Sequence, residues 1–286
     1  MILFDFSQIV IGSAMAYFSK EKEAITTELL RHIALNSIIQ IKQKYKKEFN
    51  GQVVLCFDSR HYWRKDLFPY YKKHREKDRE KSKFDWENFF ISFDILKEEF
   101  KENLPYKVIQ IDGAEADDII ATMCLTYRSE DVLIISSDHD FLQLHKFNDK
   151  IKQYSYGSKK MITIANSEYS LFEHVVKGDS GDGIPNIFSD DDTLVTEGKR
   201  QKQIRDVKLK EWEQKYGFNE PEMFCNTSEE LDRFNRNIEL IDLTKIPKEL
   251  QEQIIDSFIN QKTNGNKVFN YLIQNKLMKI LESGVL

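Results

Sequence analysis

The sequence predicts an α/β fold, a mixed and mainly parallel sheet flanked by helices, followed by a helical C-terminal part. Four short apolar runs, Ile2–Phe6, Gln52–Phe57, Tyr106–Ile111 and Asp131–Ser137, have the length of buried strands and alternate with longer stretches of helical spacing. Parallel strands need such alternation, because each must be reached by a crossover. From about residue 176 onward the runs give way to polar and apolar residues at mostly helical spacing. Carboxylates stand at or just past strand ends: Asp5, Asp58, and Asp138 with Asp140. The carboxyl ends of neighbouring strands in an open parallel sheet face one crevice, so these acids are expected to meet there.

The 286 residues allow one large or two ordinary domains. A boundary is expected within Ser167–Val176, dividing an α/β part, 1–170, from a helical part, 171–286. Hydrophobic residues at 41% and charged residues at 31% describe a soluble globular chain, and 5 prolines and 11 glycines leave no compositional linker. A net charge of −5 argues against a uniformly basic coat but leaves room for a local basic groove. The 3 cysteines, Cys56, Cys124 and Cys225, are scattered without a CxxC, so a zinc site or disulfide framework is not expected and a reducing compartment fits. The apolar N-terminus has no basic n-region and is interrupted by Asp5. It reads as a strand entering a helix, not a signal peptide or membrane span.

After the first strand, Ala24–Phe49 carries Ile25, Leu29, Ile33, Ile38 and Ile41 at close to helical spacing. Arg60–Lys83 changes character: ten Lys or Arg against four acids, a local +6, interleaved with Tyr62, Trp63, Phe68, Tyr70 and Tyr71. Cations that reach phosphates, with aromatics on which bases stack, form the pattern of a single-strand track. For Lys77–Lys83, pairing of Glu76 and Glu80 along a solvated helix explains the charges equally well. For Tyr70–Arg75, containing Lys72, Lys73 and Arg75, nucleic acid is favoured. Phe84–Phe100 is an amphipathic helix whose aromatics belong to a core, and Lys152–Tyr156 with Lys160–Ile164 form a hairpin. Gly178–Asn186, GDSGDGIPN, brings Asp179 and Asp182 on a flexible backbone and fails the EF-hand spacing. A loop at Phe188–Val195 leads to a second basic stretch, Lys199, Arg200, Lys202, Arg205, Lys208 and Lys210. Ile238–Ile241 and Val268–Leu272 are short apolar exceptions in the helical remainder.

The stretch that organises the chain holds two acid clusters, Glu115, Asp117 and Asp118, then Asp138 and Asp140. Acids also favour the first turn of a helix, so capping alone accounts for the first cluster. Two clusters at adjacent strand ends repel one another unless a counter-charge lies between them. With Asp5, Asp58, Asp179 and Asp182 the set is too large for one ion and sufficient for two. Hard divalent cations, Mg²⁺ or Mn²⁺, suit such oxygen donors. Two ions together serve phosphodiester displacement. Lys72 and Arg75 are the nearest cations outside the cage, one helical turn apart if that segment is helical, placed to offset charge on a phosphate. His139, between two acids, is taken as a bystander, and the absence of a P-loop speaks against nucleotide hydrolysis.

The ordered set FDFS, CFD, YYKKHR, GAEADD, SSDHDF and GDSGDGIP resembles the 5′-nuclease superfamily of flap endonucleases and 5′→3′ exonucleases. The phrases VLCFD, DWENFF, IISSDHDFLQLHK and NIELIDLTKIP resemble the ribonuclease H branch of T-even-like phages, nearly end to end. The resemblance implies a PIN-like core with a helical C-terminal domain. It implies a first metal held by Asp5, Asp58, Glu115 and Asp117 or Asp118, and a second held by Asp138, Asp140, Asp179 and Asp182. A basic arch at about 60–83 would admit a free 5′ end, with Tyr71, Lys72 and Arg75 matching the family's Tyr-Lys-x-x-Arg. Implied substrates are RNA primers on DNA, duplex 5′ ends and 5′ flaps. A single-strand DNA-binding protein as partner, a monomeric state and the bacterial host cytoplasm complete the expectation.

The chain departs from the family pattern in two places. Gly183 stands where relatives have Asn, and IFSDDDTLVTEGKRQKQ replaces the Gly-x-Gly-x-Lys hairpin with which relatives bind duplex backbone and K⁺; Gly198-Lys199-Arg200 is the candidate substitute. Only four residues precede Asp5, so no N-terminal extension for a sliding clamp is expected. The competing readings are a PIN-like single-strand ribonuclease, which gives no reason for a long basic arch, and a non-catalytic DNA-binding relative, which would have lost key acids.

Overall fold

The computed structural model describes residues 1–19, 24–49, 51–164 and 166–284. The N-terminal run forms β1 (Ile2–Asp5), and Asp5 then caps α1 (Phe6–Phe18), its Oδ1 accepting from the Gln8 amide at 3.2 Å. The long helix of the next segment is α2 (Thr27–Tyr45), opened by Thr26 as N-cap. Then follow β2 (Val53–Cys56), two short basic helices, α3 (Trp63–Leu67) and α4 (His74–Lys81), and the aromatic α5 (Trp86–Asn103). The expected third strand is only three residues long, β3 (Lys107–Ile109). Its chain leaves the sheet at Gln110 to make the Gly113 turn, where φ is +85°.

Next come α6 (Ala116–Thr126), β4 (Val132–Ile135) and a 3₁₀ helix, Asp140–Lys146. The hairpin is β5 (Ile151–Ser155) with β6 (Lys160–Ile162). Beyond it lie α7 (Ser167–Lys177), α8 (Asp206–Lys215), α9 (Ser228–Ile241), α10 (Lys248–Asn260), α11 (Val268–Gln274) and α12 (Met278–Ser283). The two short apolar runs, Ile238–Ile241 and Val268–Leu272, are therefore helical: they lie in α9 and α11.

The sheet order is β3-β2-β1-β4-β5-β6, parallel from β3 to β5, with β6 antiparallel at the far edge. Alternate side chains of each strand enter different layers, as the two-residue period requires. Ile2, Phe4, Val53 and Leu55 join the layer of α1, α2 and α5. Leu3, Val54, Cys56 and Ile134 join the layer of α6 and α10. The β3 edge is covered by the Gln261 amide, which accepts from Val108 N at 2.8 Å and donates to Val108 O at 2.9 Å, an answer to the open hydrogen bonds of an edge strand.

Strand order reverses between β1 and β4, so the crevice of the fold opens at their carboxyl ends. A third apolar cluster joins α7, α8 and α9 to Phe68 and Tyr71 of the basic segment. The basic segment is thus anchored to the C-terminal helices. Among the described residues no helix is long and apolar enough to cross a membrane.

Candidate metal centre

Asp5, Asp58, Asp117 and Asp138 come from four elements and line the crevice with little to neutralise them. Asp5 Oδ2 accepts from Ser136 Oγ at 3.0 Å, Asp58 Oδ1 from the Ala116 amide at 2.8 Å, and Asp138 Oδ1 from the Asp140 amide at 3.0 Å. Among the described residues none of the four has an ion pair with a basic side chain. Burial, and then the charge of Asp58, push the Asp5 carboxyl up to about 7. Burial and then Asp138 and Asp5 push Asp117 well up. Burial and then Asp140 push Asp138 to about 6. Carboxyls that raise one another's pKa in this way lack a counter-ion. An all-oxygen, uncompensated donor set fits a hard divalent cation.

Glu115 and Asp118 are compensated from within the protein. Arg64, 2% exposed, places Nη1 at 2.9 Å from Glu115 and 2.8 Å from Asp118, while its Nε donates to the Leu240 carbonyl at 2.8 Å. The other Asp118 oxygen accepts from Trp63 Nε1 at 3.2 Å and from the Glu115 amide at 2.9 Å. With Oδ2 hydrogen-bonded, Oδ1 against the Arg64 guanidinium and no exposure, Asp118 is a structural carboxyl that fixes the start of α6, although burial raises its pKa. Of the adjacent pair left open by the sequence, Asp117 is the one that faces Asp138 and Asp5. Burial would raise the Glu115 carboxyl, but Lys72 and Arg64 hold it down at about 2.

The basic segment departs from expectation at two residues. Tyr71 is not a stacking platform: it is 2% exposed, and its hydroxyl lies 2.8 Å from Glu115 and 2.7 Å from Asp182. Lys72 is neither helical nor a free cation. It precedes α4 with φ +55°, donates its amide to the Asp182 carbonyl at 2.7 Å, and directs Nζ to Glu115 and, at 3.4 Å, to Asp182. Arg75 meets the same Asp182 at 2.7 Å and the Gly181 carbonyl at 3.0 Å, so the two cations converge through the glycine loop and not through a shared helix face. Lys73 is exposed.

Gly183 has a steric reason to be glycine. At φ +75°, a Cβ there would sit 3.0 Å from the Tyr70 carbonyl and 3.3 Å from the Lys72 amide. The basic segment docks directly on this glycine.

Asp140 and Asp179 are joined by a residue the sequence reading missed. His174 of α7 has Nδ1 at 2.8 Å from Asp140 Oδ1 and Nε2 at 3.2 Å from Asp179 Oδ2. Burial would lower the imidazole, but the two carboxylates raise it to about 11. The available signal was slight: a histidine one turn before Gly178 in a helix with an apolar face. His139, by contrast, is exposed.

In the second basic stretch Lys199 is already paired, with Asp192 at 2.6 Å and Asp190 at 3.5 Å, while Arg200 and Lys202 are exposed. Lys202, Arg205 and Lys208 border a groove of about 670 Å³ floored by Phe188, Trp212 and Phe224.

Residues 2–174 match the family of the 5′-3′ exonuclease N-terminal resolvase-like domain, and residues 165–285 match the T4 RNase H C-terminal family. The chain is 35% identical to the ribonuclease H of Enterobacteria phage T4 over 98% of this chain and 93% of that one. It is 33% identical to the flap endonuclease Xni of Shewanella sp. (strain MR-4), over 44% of this chain and 48% of the relative. Among solved structures it is similar to the phage T5 5′-exonuclease with bound divalent metal ions (zinc), at a TM-score of 0.61 and 16% identity, covering 99% of this chain and 98% of that one. It is equally similar to a phage T5 flap endonuclease in a pseudo-enzyme–product complex with DNA and metal ions, at a TM-score of 0.61 and 16% identity over 98% of both chains. At such identity the structural likeness establishes the fold.

Proposed function

Since the chain belongs to the 5′-3′ exonuclease family of nucleases, with a C-terminal part of the T4 ribonuclease H kind, we propose that it hydrolyses phosphodiesters at the 5′ ends of duplexes with two Mg²⁺ ions. Its substrates in this reading are RNA primers paired to DNA, and 5′ flaps, during phage replication. Residues 1–170 carry most of the chemistry, the start of 171–286 completes it with Asp179 and Asp182, and the helices beyond hold the duplex. The observation that carries the reading is the crowd of Asp5, Asp58, Asp117 and Asp138, buried or half-buried acids with no basic partner among the described residues.

These four carboxylates would hold one ion, and Asp140, Asp179 and Asp182 beside Asp138 would hold the second. When bound, the ions lower the pKa of a water and offset the charge at the attacked phosphate. Ser136 and the Gln8 amide keep the Asp5 carboxylate turned into the crevice. Glu115 acts one layer behind: it and Asp182 hold the Lys72 ammonium and the Tyr71 hydroxyl at the crevice edge. Arg75 and Lys72, sharing Asp182, are the cations positioned to pass a hydrogen bond to a phosphate oxygen as charge builds there. Lys73 on the basic segment, and Arg200 and Lys202 beyond the glycine loop, would track the backbone, with Lys199 released from Asp192 only if phosphate competes for it.

The test is a 5′-labelled RNA–DNA hybrid and a 5′-labelled DNA flap, each with and without Mg²⁺. Mg²⁺-dependent release of short 5′ products from both supports the reading. Cleavage of unpaired RNA with no need of a duplex 5′ end would replace it with a PIN-like single-strand ribonuclease.

A further inference from the structure

Asp140, His174 and Asp179 reach one point from three elements: the 3₁₀ helix after β4, the last turns of α7, and the loop that follows it. One donor atom from each lies within 4.8 Å of the others. Donors bound to a first-row divalent ion at about 2.1 Å sit roughly 3 Å apart when adjacent, which is close to the 3.2 Å between His174 Nε2 and Asp179 Oδ2. At the opposite edge of the ring, Nδ1 makes an ion-pair contact of 2.8 Å with Asp140 Oδ1. Metal-ligating histidines commonly set a carboxylate against the nitrogen that does not bind, and such a carboxylate fixes tautomer and ring direction.

We propose that His174, releasing its Nε2 proton to solvent as the cation replaces it between the carboxylates, is a direct ligand of the second divalent ion through Nε2 beside Asp179, with the Oδ1 edge of Asp140 positioning the ring. The inference rests on the reading that these acids hold divalent ions, and it deepens it: the second site is mixed nitrogen and oxygen, unlike the all-carboxylate set of Asp5, Asp58, Asp117 and Asp138. An imidazole nitrogen favours Mn²⁺, Co²⁺ or Zn²⁺ relative to Mg²⁺. The two sites of one chain therefore differ in metal preference, and His174 is the residue that makes them differ.

The experiment is Mn²⁺ binding by calorimetry together with electron-spin-echo spectroscopy of the Mn²⁺-loaded full chain, which detects a directly bound nitrogen. Wild-type protein gives two bound ions and a nitrogen modulation. His174→Gln loses the modulation and weakens one Mn²⁺ site by about tenfold or more, with a smaller loss for Mg²⁺. His139→Gln keeps the modulation, which excludes the neighbouring histidine as its source. Two bound ions without a nitrogen signal, or tighter Mn²⁺ binding in His174→Gln, would mean that the ring only competes with metal as a counter-ion and would overturn the inference while leaving the two-ion reading intact. No Mn²⁺ bound by the wild type would overturn both. The wild-type spectrum decides even if the variant does not fold.

Discussion

Arg64 Nη1 lies 2.8 Å from Asp118 Oδ1 with both side chains almost wholly buried, so the second acid of the Asp117-Asp118 pair is matched inside the protein while the first is not. Removing one member of a buried ion pair strands the other charge and costs about 3–5 kcal/mol. Asp118→Asn should therefore lower the midpoint of chemical unfolding markedly. Asp117→Asn should abolish cleavage with folding intact or improved in chelator. Denaturation curves and single-turnover assays on both variants check this; equal stability losses would mean that the two acids are not divided in this way.

The pH dependence of stability without metal follows from Asp5. Its carboxyl, ordinarily near 3.8, titrates at about 7 in the fold because of burial and then Asp58. The native state keeps a proton that the unfolded chain releases, so stability falls as pH rises from about 4 to 7. In chelator, Asp5→Asn should stabilise the protein at about pH 8 and do little at about pH 4. Thermal scans of both proteins at the two pH values measure the difference. Asp138, pushed to about 6, should show the same sign over a narrower window for Asp138→Asn, which should also end cleavage while DNA binding persists.

Lys72→Ala should cut single-turnover cleavage about a hundredfold, the typical effect of one electrostatic donor. Flap affinity should fall only a few-fold, because the group acts mainly as charge develops. Lys81→Ala, exposed at the end of α4, is the control. Comparable small defects in both would make Lys72 one arch charge among many.

Gly183→Asn should be strained: its φ is +75°, and its Cβ would press on the Tyr70 carbonyl at 3.0 Å and the Lys72 amide at 3.3 Å. Loss of about 1–3 kcal/mol is expected. Cleavage should fall with it, since Lys72 is displaced from Asp182. An unchanged unfolding midpoint with full activity would show that the basic segment does not depend on this contact.

Charge removal in the second basic stretch should separate three residues that look alike in sequence. Arg200→Ala and Lys202→Ala should each flatten the log-affinity against log-salt slope by roughly 0.9 for a lost phosphate contact. Lys199→Ala should change it less, because Asp192 at 2.6 Å already offsets that charge. Filter-binding or anisotropy titrations over a salt series read the slopes, and no change in any of the three would leave them as surface charge.

The layered sheet, the helix that opens behind Glu115 and the gathering of acids at the carboxyl ends of β1, β2 and β4 are all legible in the order of residues. Strand period and strand-end residues are local properties, and the switch in strand order then has only one crevice to fill. Which acids remain uncompensated depends on contacts between distant parts of the folded chain. Arg64 reaches Glu115 across 51 residues and Tyr71 reaches Asp182 across 111, distances over which spacing carries no information. The same holds for His174, which becomes part of the site only because α7 packs beside the 3₁₀ helix that carries Asp140. Composition marked Tyr71 and Lys72 as a nucleic-acid track because it records charge and rings. Burial and a left-handed Lys72 backbone make them the bolt between the basic segment and the glycine loop, since a side chain's partners are set by where other parts of the chain come to rest.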